Sequence, residues 1–289
     1  MRILITGTTG FLGSRIRRVL ETGEGHHDIS GSDTKSCDIG DFQAVKMLFD
    51  RTRPELVIHC AAIGDIGICE TNPSAAMRVN VAGTRHIASC CADYGAKLIS
   101  ISSDQVYDYY SMQPLNEYST PAPANFYGVT KLRGEAVVRA LVPRHYILRL
   151  GWQYGIKEPG LPPSRDGIVE QLERCLKEEM PVYYTENVRQ NITYIYDTAM
   201  AVRAMAEGKI PYGTYNVASE NGLTERETKA LILRRLGADG DFIRRMLIIK
   251  PGSRPFDLRA EPLNLRLAGY DFPTFEDGLE RCLRKDENR

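Results

Sequence analysis

A short strand-like run at the start of the chain leads directly into a glycine turn. Residues 2–6 form this run, and Gly7, Gly10 and Gly13 follow at three-residue spacing, with helical periodicity beginning at Phe11. Glycines at these positions allow a tight turn and let the backbone approach a pyrophosphate, whose charge meets the exposed N–H groups of the helix N-terminus. Because the triplet lies between a strand and a helix, it predicts a dinucleotide-binding unit more specifically than glycine spacing alone.

The same alternation of strand and helix continues through the first half of the chain. It favours an α/β fold with a doubly wound parallel sheet and helices on both faces. The predicted strands are Arg2–Thr6, Ile29–Asp33, Leu56–Cys60, Lys97–Ser102 and His145–Leu150. The predicted helices are Phe11–Leu20, Phe42–Arg51, Ala75–Tyr94 and Tyr127–Leu141.

The pattern becomes less regular after Leu150. The elements predicted there are a helix at Asp166–Glu179, a strand and helix within Asn191–Ala206, a strand at Thr214–Val217, a helix at Thr224–Leu236, a strand at Leu247–Lys250 and a helix at Phe275–Lys285. We therefore expect a Rossmann-type domain over residues 1–151, to which residues 188–217 return. A smaller, discontinuous substrate-binding lobe would comprise residues 152–187 and 218–289.

Charge and hydropathy narrow the class of protein. Lysine plus arginine and aspartate plus glutamate each number 37, so the zero net charge gives no footprint for nucleic acid or an acidic membrane. No apolar run approaches the ~20 residues that span a bilayer, and no signal peptide is recognisable, which predicts a cytoplasmic protein. Seven cysteines without Cys-x-x-Cys spacing predict reduced thiols and no metal site. The sequence does not decide the oligomeric state, and a homodimer is the assembly that we consider.

Asp33 bears on the choice of cofactor. It ends the second predicted strand, twenty residues after Gly13, where a carboxylate can accept hydrogen bonds from an adenosine ribose. The same carboxylate would repel a 2′-phosphate and so favours NAD, whereas Lys35 nearby would tolerate that phosphate. The residues therefore predict NAD(P) without deciding between the two forms.

A second constellation has the character of a proton-transfer site. Tyr127 and Lys131 are four residues apart on a predicted helix, which places both side chains on one face. An ammonium group beside a phenol favours the phenolate, and we expect it to lower the tyrosine pKa from its usual ~10. Ser103 follows a predicted strand at the sheet edge where ligands of doubly wound folds bind, so its hydroxyl is placed to hydrogen-bond a substrate carbonyl.

These motifs together resemble those of the extended short-chain dehydrogenases/reductases. The shared strings are Gly7-x-x-Gly10-x-x-Gly13, Ala61-Ala62, Ser102-Ser103-Asp104-Gln105-Val106-Tyr107 and Tyr127-Gly128-Val129-Thr130-Lys131. Within that superfamily the chain is most similar to the dTDP-4-dehydrorhamnose reductases, and the similarity runs nearly from end to end. Arg149–Gly155 and the string Ser253-Arg254-Pro255 contribute to it.

The motifs and the resemblance together assign the site residues. The cofactor contacts are Gly7, Thr9, Gly10, Phe11, Leu12, Gly13, Asp33, Asp38, Ile39, Cys60, Ala61, Ala62, Tyr127 and Lys131, with Asp38-Ile39 similar to the pair that holds an adenine ring in this superfamily. The catalytic residues are Ser103, Tyr127 and Lys131. The substrate contacts are Ser103, Asp104, Trp152, Arg189 and Arg254, the arginines as partners of a diphosphate. Periodicity alone would instead make Trp152 a half-buried packing residue.

The chain departs from the reductase pattern on the side that faces the sugar. Residues 66–70 lack the family's charged pair and keep only Glu70, and Ile192 stands where the family has proline. The resemblance implies NAD(P)H-dependent reduction of the C4 carbonyl of a nucleotide-linked 4-keto-6-deoxy sugar. The departures leave the particular sugar and nucleotide open.

Three other functions are compatible with the same fold. A nucleotide-sugar 4,6-dehydratase needs an acid and a base after the hydroxyl residue, but Gln105 occupies the base position and an amide cannot abstract a proton. A nucleotide-sugar epimerase stays open. A non-catalytic NAD(P)-binding regulatory subunit also stays open, because Ile101–Val106 resembles a string of the methionine adenosyltransferase beta subunit.

Overall fold

The computed structural model describes residues 1–23, 25–108, 110, 113–162, 167–252 and 254–286. The elements of the first half are β1 (Arg2–Thr6), α1 (Phe11–Glu21), β2 (Asp28–Ser32), α2 (Phe42–Thr52), β3 (Leu56–His59), α3 (Ile66–Thr71), α4 (Pro73–Ala76), a π-helical segment (Met77–Gly83), α5 (Thr84–Tyr94), β4 (Lys97–Ser103), a 3₁₀ turn (Asp104–Val106), α6 (Phe126–Leu141) and β5 (His145–Leu150). Each of the five strands predicted for this half is present within one residue at either end.

The second half contains shorter elements. They are β6 (Trp152–Tyr154), α7 (Ile168–Glu178), β7 (Val182–Tyr184), β8 (Arg189–Gln190), β9 (Ile192–Tyr194), α8 (Ile195–Ala206), β10 (Gly213–Val217), α9 (Glu225–Arg235), α10 (Gly240–Met246), β11 (Leu247–Ile249), β12 (Asp257–Leu258), α11 (Leu263–Leu267) and α12 (Phe275–Asp286). The predicted start of α7 at Asp166 lies outside the described residues. No helix in the described part of the chain is both long and apolar enough to cross a bilayer.

Six parallel strands form the central sheet in the order β10–β5–β4–β3–β1–β2. This confirms the predicted doubly wound parallel sheet. The chain proceeds from β1 to the edge strand β2 and then crosses back to β3, so the winding direction reverses between β1 and β3. A crevice at the carboxyl ends of the strands is expected at such a reversal, and it is where ligands of this architecture bind.

Both faces of the sheet are covered, as parallel sheets require. Alternate residues of β1 enter opposite cores: Ile3 and Ile5 pack in one core with α1 and α8, whereas Leu4 packs in the other with α2 and α5. Successive strand side chains point to opposite faces, which explains why the buried strands appear as continuous apolar runs in the sequence.

Outside the central sheet, the strands of the second half form small pairs instead of one sheet, and this region is called the lobe below. The pairs are β6 with β9, β7 with β11, and β8 with β12, each parallel and two or three residues long. Helices α7, α9 and α12 enclose a separate core that includes Leu172, Leu233 and Phe275. Strand β10 leaves this region and joins the central sheet beside β5.

One predicted helix is not a continuous α-helix. The stretch Ala75–Tyr94 contains the end of α4, the π-helical segment and α5. Asn80 lies in the π-helical segment with 1% of its surface exposed, where its side chain bonds both backbone groups of Ile63 and the Thr130 hydroxyl. Apolar spacing could not reveal this, because α- and π-helical turns bury similar patterns and π segments are commonly found at functional sites.

Candidate active site

The glycine turn has a backbone geometry that a side chain would disrupt. Gly7 has φ +72°, and a Cβ atom placed on Gly13 would lie 2.3 Å from the Gly7 carbonyl oxygen. A Cβ atom on Gly7 itself would lie 2.9 Å from the backbone nitrogen of Ala61. The turn is therefore packed against both its own helix and the segment after β3, which brings Cys60 and Ala61 beside it, with Ala62 next along the chain.

The first turn of α1 is suited to bind a phosphate. Gly10 is the N-cap of α1, and among the described residues no side chain caps this helix end. The N–H groups of Phe11, Leu12 and Gly13 therefore point out of the helix end, where the helix dipole favours an anion. The predicted contacts from Gly7 to Gly13 thus form one turn, and its geometry fits the pyrophosphate of a dinucleotide.

The two acidic positions of the predicted adenosine site are already hydrogen-bonded. Asp33 Oδ1 accepts hydrogen bonds from the Ser36 hydroxyl and from the backbone N–H groups of Lys35 and Ser36, which hold the pKa of its carboxyl below the usual value. Asp38 forms a 2.7 Å ion pair with Arg78, which lowers its pKa in the same way. Sequence analysis missed Arg78, which is forty residues distant from its partner.

Ile39 and Cys60 are packing residues in this region. Ile39 is buried against Gly83, where an added Cβ atom would lie 2.8 Å from Ile39 Cδ1. Burial raises the pKa of the Cys60 thiol to about 12, so the thiol stays protonated at neutral pH. Neither residue therefore brings a charge to this region.

A cleft of about 880 Å³ opens at the carboxyl ends of β1, β4 and β5. Its lining includes Phe11, Leu12, Ser103, Asp104, Tyr127 and Trp152. Residues that are far apart in sequence, and that were predicted for the cofactor, the proton transfer and the substrate, therefore share one cavity. A neighbouring cavity of about 440 Å³ lies between the glycine turn, α7 and α9, and shares Phe11, Trp152, Gln153 and Gln190 with the cleft.

Tyr127 retains its proton in this environment. Burial raises the pKa of its phenol to about 12, Asp104 adds to the increase, and a hydrogen bond with Ser103 opposes it. The prediction that Lys131 would lower this pKa is therefore wrong: the loss of hydration at the phenol outweighs any effect of the ammonium group. At neutral pH the group is a proton donor, which is the form that an acid needs.

Lys131 is held by the backbone of β4. Its Nζ donates a hydrogen bond to the carbonyl oxygen of Ile101. Burial lowers the pKa of this lysine to about 8, while the negative charge of Glu135 opposes the decrease. Its ammonium form therefore prevails at neutral pH, but by a small margin.

Asp104 is a buried carboxyl beside the Ser103 hydroxyl. Ser103 Oγ donates a 3.1 Å hydrogen bond to Asp104 Oδ1, and the Gln105 side chain donates a longer one of 3.4 Å. Burial raises the pKa of Asp104 to about 7, against the effect of these hydrogen bonds. The group therefore titrates near neutrality and can carry a proton at the base of the cleft.

The predicted substrate contacts are placed unequally. Trp152 is 67% exposed and lines both cavities, so the half-buried packing role expected from periodicity is wrong. Arg189 is partly buried and donates a hydrogen bond to the carbonyl oxygen of Gly222, although its neighbour Gln190 lines the cleft. Arg254 is exposed, two residues before Phe256 of the cleft lining; Ser253 lies outside the described residues.

Sequence analysis missed two polar side chains that organise the site. Asn80 joins the segment after β3 to α6 through Ile63 and Thr130. Glu70, noted only as a remnant of a family motif, accepts a 2.6 Å hydrogen bond from the Phe126 N–H and so binds the first residue of α6, next to Tyr127. No periodicity indicates such contacts, since Asn80 and Thr130 are 50 residues apart and Glu70 and Phe126 are 56 apart.

Comparisons with known proteins agree with this geometry. A family model described as the RmlD substrate binding domain matches residues 1–286. A dTDP-4-dehydrorhamnose reductase from Streptomyces griseus is 30% identical over 270 residues, 88% of this chain and 83% of that protein. The crystal structure of a dTDP-4-dehydrorhamnose reductase from Bacillus anthracis in complex with NADP matches with a TM-score of 0.87 and 27% identity, and the match covers 98% of this chain and 99% of the other. Methionine adenosyltransferase 2 subunit beta from Xenopus laevis is 36% identical over 159 residues, 53% of this chain and 47% of that protein.

The winding of the sheet, its glycine turn and the cleft at its reversal point are those of an extended short-chain dehydrogenase/reductase, an NAD(P)-dependent oxidoreductase, and the predicted class is confirmed. Within that class the chain belongs to the family of the RmlD substrate binding domain. The resemblance to the dTDP-4-dehydrorhamnose reductases is confirmed with it.

Proposed function

We propose that this protein reduces the C4 carbonyl of a nucleotide-linked 4-keto-6-deoxy sugar with NADH or NADPH. The observation that carries the proposal is the shared cleft: Ser103 and Tyr127 line the same cavity as Phe11 and Leu12 of the glycine turn. The nicotinamide supplies a hydride to the carbonyl carbon when the cofactor is bound. A relative of 30% identity that is named for this reaction supports the choice of substrate class.

The chain's own residues provide the proton and hold the carbonyl. Tyr127 donates its phenolic proton to the carbonyl oxygen as negative charge develops there, so that a C–H and an O–H bond form while the C=O π bond breaks. Ser103 donates a hydrogen bond to the same oxygen. A phenol pKa of about 12 is matched to an alkoxide acceptor better than to a carbonyl, which delays proton transfer until the hydride has begun to arrive.

Lys131 stabilises the phenolate that remains after proton transfer. Its ammonium group is present below about pH 8, and an opposite charge near a phenolate favours that form. The hydrogen bond from Lys131 Nζ to the Ile101 carbonyl oxygen keeps this positive charge next to β4. Turnover should therefore decline as pH rises through about 8.

The sugar side of the cleft is assigned by position. Trp152 would offer an aromatic face to the sugar, and Asp104 a hydrogen bond at the base of the cleft. Because the neighbouring cavity shares Gln190 and three other lining residues with the cleft, the nucleotide would extend into it. Arg189 and Arg254 would approach the diphosphate from the rim, and Arg189 would have to exchange its hydrogen bond with Gly222 for the phosphate.

The division into domains belongs to this proposal. Residues 1–151 with 188–217 would carry the cofactor, and residues 152–187 with 218–289 would form the substrate lobe. Of the returning segment, α8 packs against α1 and β10 joins the sheet, whereas β8 and β9 pair within the lobe. Assembly as a homodimer and a cytoplasmic location stay predictions from the sequence.

Oxidation of the reduced cofactor tests the proposal directly. The purified protein is assayed with NADH and with NADPH against a panel of nucleotide-linked 4-keto-6-deoxy sugars, beside a Tyr127→Phe variant. We expect turnover with at least one sugar, and a decrease of about 10³-fold in the variant with cofactor affinity kept. Turnover that persists in Tyr127→Phe contradicts the assigned mechanism.

A non-catalytic regulatory role is the second candidate. It is favoured by the 36% identity to the methionine adenosyltransferase beta subunit, which covers about half of each chain. Tight cofactor binding without turnover on any member of the panel, together with co-purification of a synthetase, would replace the reductase function with this one. An epimerase would interconvert the same sugars without net consumption of cofactor, which product analysis separates from reduction.

A further inference from the structure

Helix α6 presents three functional groups at four-residue spacing. Tyr127, Lys131 and Glu135 follow one another on the face that packs against β4. Lys131 bonds the Ile101 carbonyl, and Glu135 accepts a 2.6 Å hydrogen bond from the hydroxyl of the next residue, Ser102. The residue after that is Ser103, the hydroxyl assigned to the substrate carbonyl. This face of α6 therefore contacts neighbouring residues at the carboxyl end of β4.

Glu135 is the most heavily bonded member of this series. Its Oε1 accepts hydrogen bonds from Ser102 and from Arg149 Nε at 2.9 Å, and its Oε2 accepts from Arg149 and Arg139 at 2.7 Å each. Glu135 and Arg149 are each only 2% exposed. A paired, bidentate geometry is what allows a carboxylate and a guanidinium to be buried together.

The pair connects the three elements that hold the site. Glu135 belongs to α6, Ser102 to β4 and Arg149 to β5, which leads directly to Gly151 and Trp152. Arg149 also donates a 2.8 Å hydrogen bond to the Tyr107 hydroxyl, which in turn donates to Asn216 of β10. A shift of α6 along the sheet would break these bonds and would move Tyr127 relative to Ser103.

We infer that Glu135 is a positioning residue for the proposed reaction, holding α6 in register with β4 and β5 and keeping a negative charge one helical turn behind Lys131. The inference rests on the proposed function for its kinetic consequences. Glu135 touches neither substrate nor cofactor in this arrangement. It acts through Lys131 and through the placement of Tyr127.

The effect of Glu135 on the pKa of Lys131 depends on which other charged groups face Lys131 from the neighbouring elements. His59 of β3 is neutral at neutral pH, because burial and the nearby Lys131 lower its pKa to about 3. Cys60 after β3 and Cys69 of α3 are protonated thiols, since burial raises both pKa values. Glu135 is therefore the ionised group that counteracts the effect of burial on Lys131. Its removal should make the ammonium form less stable.

The test compares variants of the same ion-pair cluster in the full-length protein. Glu135→Gln keeps the shape of the side chain and one acceptor oxygen but removes its charge. We expect the alkaline limb of the kcat–pH profile to move to lower pH by about one unit. We also expect kcat to change more than KM. Arg149→Gln leaves Glu135 without its neutralising partner and should move the limb to higher pH. Glu135→Asp keeps the charge and should restore the limb, though with reduced kcat because the shorter side chain loosens the register.

Arg139→Ala is the matched control. Arg139 bonds the same carboxylate from the exposed side of α6, with its side chain 40% exposed, so its removal should leave the limb unchanged. The Lys131 titration is also followed by NMR of the protein labelled at lysine carbons, with the signal assigned through Lys131→Met. This readout does not need turnover, so it distinguishes a failure of this inference from a failure of the proposed reductase function.

A purely structural role would give a different result. In that case Glu135→Gln would lower the melting temperature while the kinetic limb and the Lys131 titration kept their position. Shifts of the same sign in Glu135→Gln and Arg149→Gln would likewise overturn the inference, because opposite charges removed from one pair should act on Lys131 in opposite directions. If Glu135→Gln does not fold, Arg149→Gln and Glu135→Asp carry the test.

Discussion

The two walls of the cleft differ in how firmly their side chains are held. On the wall of the central sheet, Ser103 is bonded to Asp104, and Lys131 to the backbone of β4. On the opposite wall, which is formed by residues of β6, β8 and β12 and is called the wall of the lobe, Trp152 is 67% exposed. Arg254, two residues before the lining residue Phe256, is exposed as well. The first wall is built from long strands and one sixteen-residue helix, and the second from strands of two or three residues.

This difference corresponds to two physical tasks. Proton transfer requires atoms placed within a fraction of an ångström, and only a rigid, buried scaffold provides that placement. Recognition of a sugar requires surface that the substrate itself will cover, so its side chains face solvent. The wall of the sheet should therefore tolerate substitution poorly, whereas the wall of the lobe should lose affinity without losing the fold.

Among these comparisons, the largest effect on binding is expected at the glycine turn. In Gly13→Ala the new methyl group would overlap the Gly7 carbonyl oxygen at 2.3 Å, so the turn must open and the phosphate-binding geometry is lost. We expect cofactor affinity, measured by fluorescence titration with NADH and NADPH, to fall by more than about 100-fold, a cost of about 3 kcal/mol. The control is Gly64→Ala on the cleft rim, where an added Cβ atom meets no heavy atom within 4 Å. Equal affinity in the two variants would contradict the role assigned to the turn.

A pH-dependent effect of intermediate size is expected at Asp104. Its pKa is about 7 in the folded protein and near the ordinary ~4 in the unfolded chain, so the protonated group favours folding. This stabilisation is fully present below about pH 4 and is lost as pH rises through about 7. Asp104→Asn does not titrate and should be more stable than the parent at pH 8, by on the order of 2 kcal/mol, with the gap closing toward pH 4.

Thermal unfolding of both proteins across that pH range measures the difference. The comparison between parent and variant removes the pH effects that the two share. A stability gap that stays constant between pH 4 and pH 8 would show that Asp104 is not the group whose burial matters. The result would weaken the contrast between the walls, because burial would then not have shifted the pKa of this carboxyl on the sheet side.

The smallest effect is expected on the wall of the lobe. Trp152→Ala removes an exposed ring that contacts the cleft but little of the core, so we expect KM for the sugar nucleotide to rise about tenfold while the melting temperature stays unchanged. Tyr118→Ala is the control, because Tyr118 is 73% exposed and does not belong to the cleft lining. If Trp152→Ala lowered stability instead of affinity, the proposed division between a rigid wall and a recognition wall would be wrong.

The accuracy of sequence-based prediction follows the same division. In the first half, β1 and β3 are almost wholly buried and continuous in apolar character, so their positions were predicted within one residue. The edge strand β2 is half exposed, and its position was predicted equally well from its place between the glycine turn and the next helix. Sequence patterns did not predict several short elements of the second half, namely β7, β8, β12, α10 and α11. Elements of two to seven residues contain too few positions to show a period. Their structure depends on partners distant in the chain, as in the pairing of β8 with β12.

The sequence by itself determined the class of fold and the glycine turn, and it predicted Ser103, Tyr127 and Lys131 as the proton-transfer residues, because local spacing specifies these features. Only the tertiary structure decided their energetics. Burial raises the pKa of Tyr127 although a lysine lies one helical turn away, and it makes Asp104 titrate near pH 7. The tertiary structure also brings Glu135, Arg149 and Ser102 into contact. The hydration that a group loses and the charges that it meets depend on segments that approach only when the chain folds.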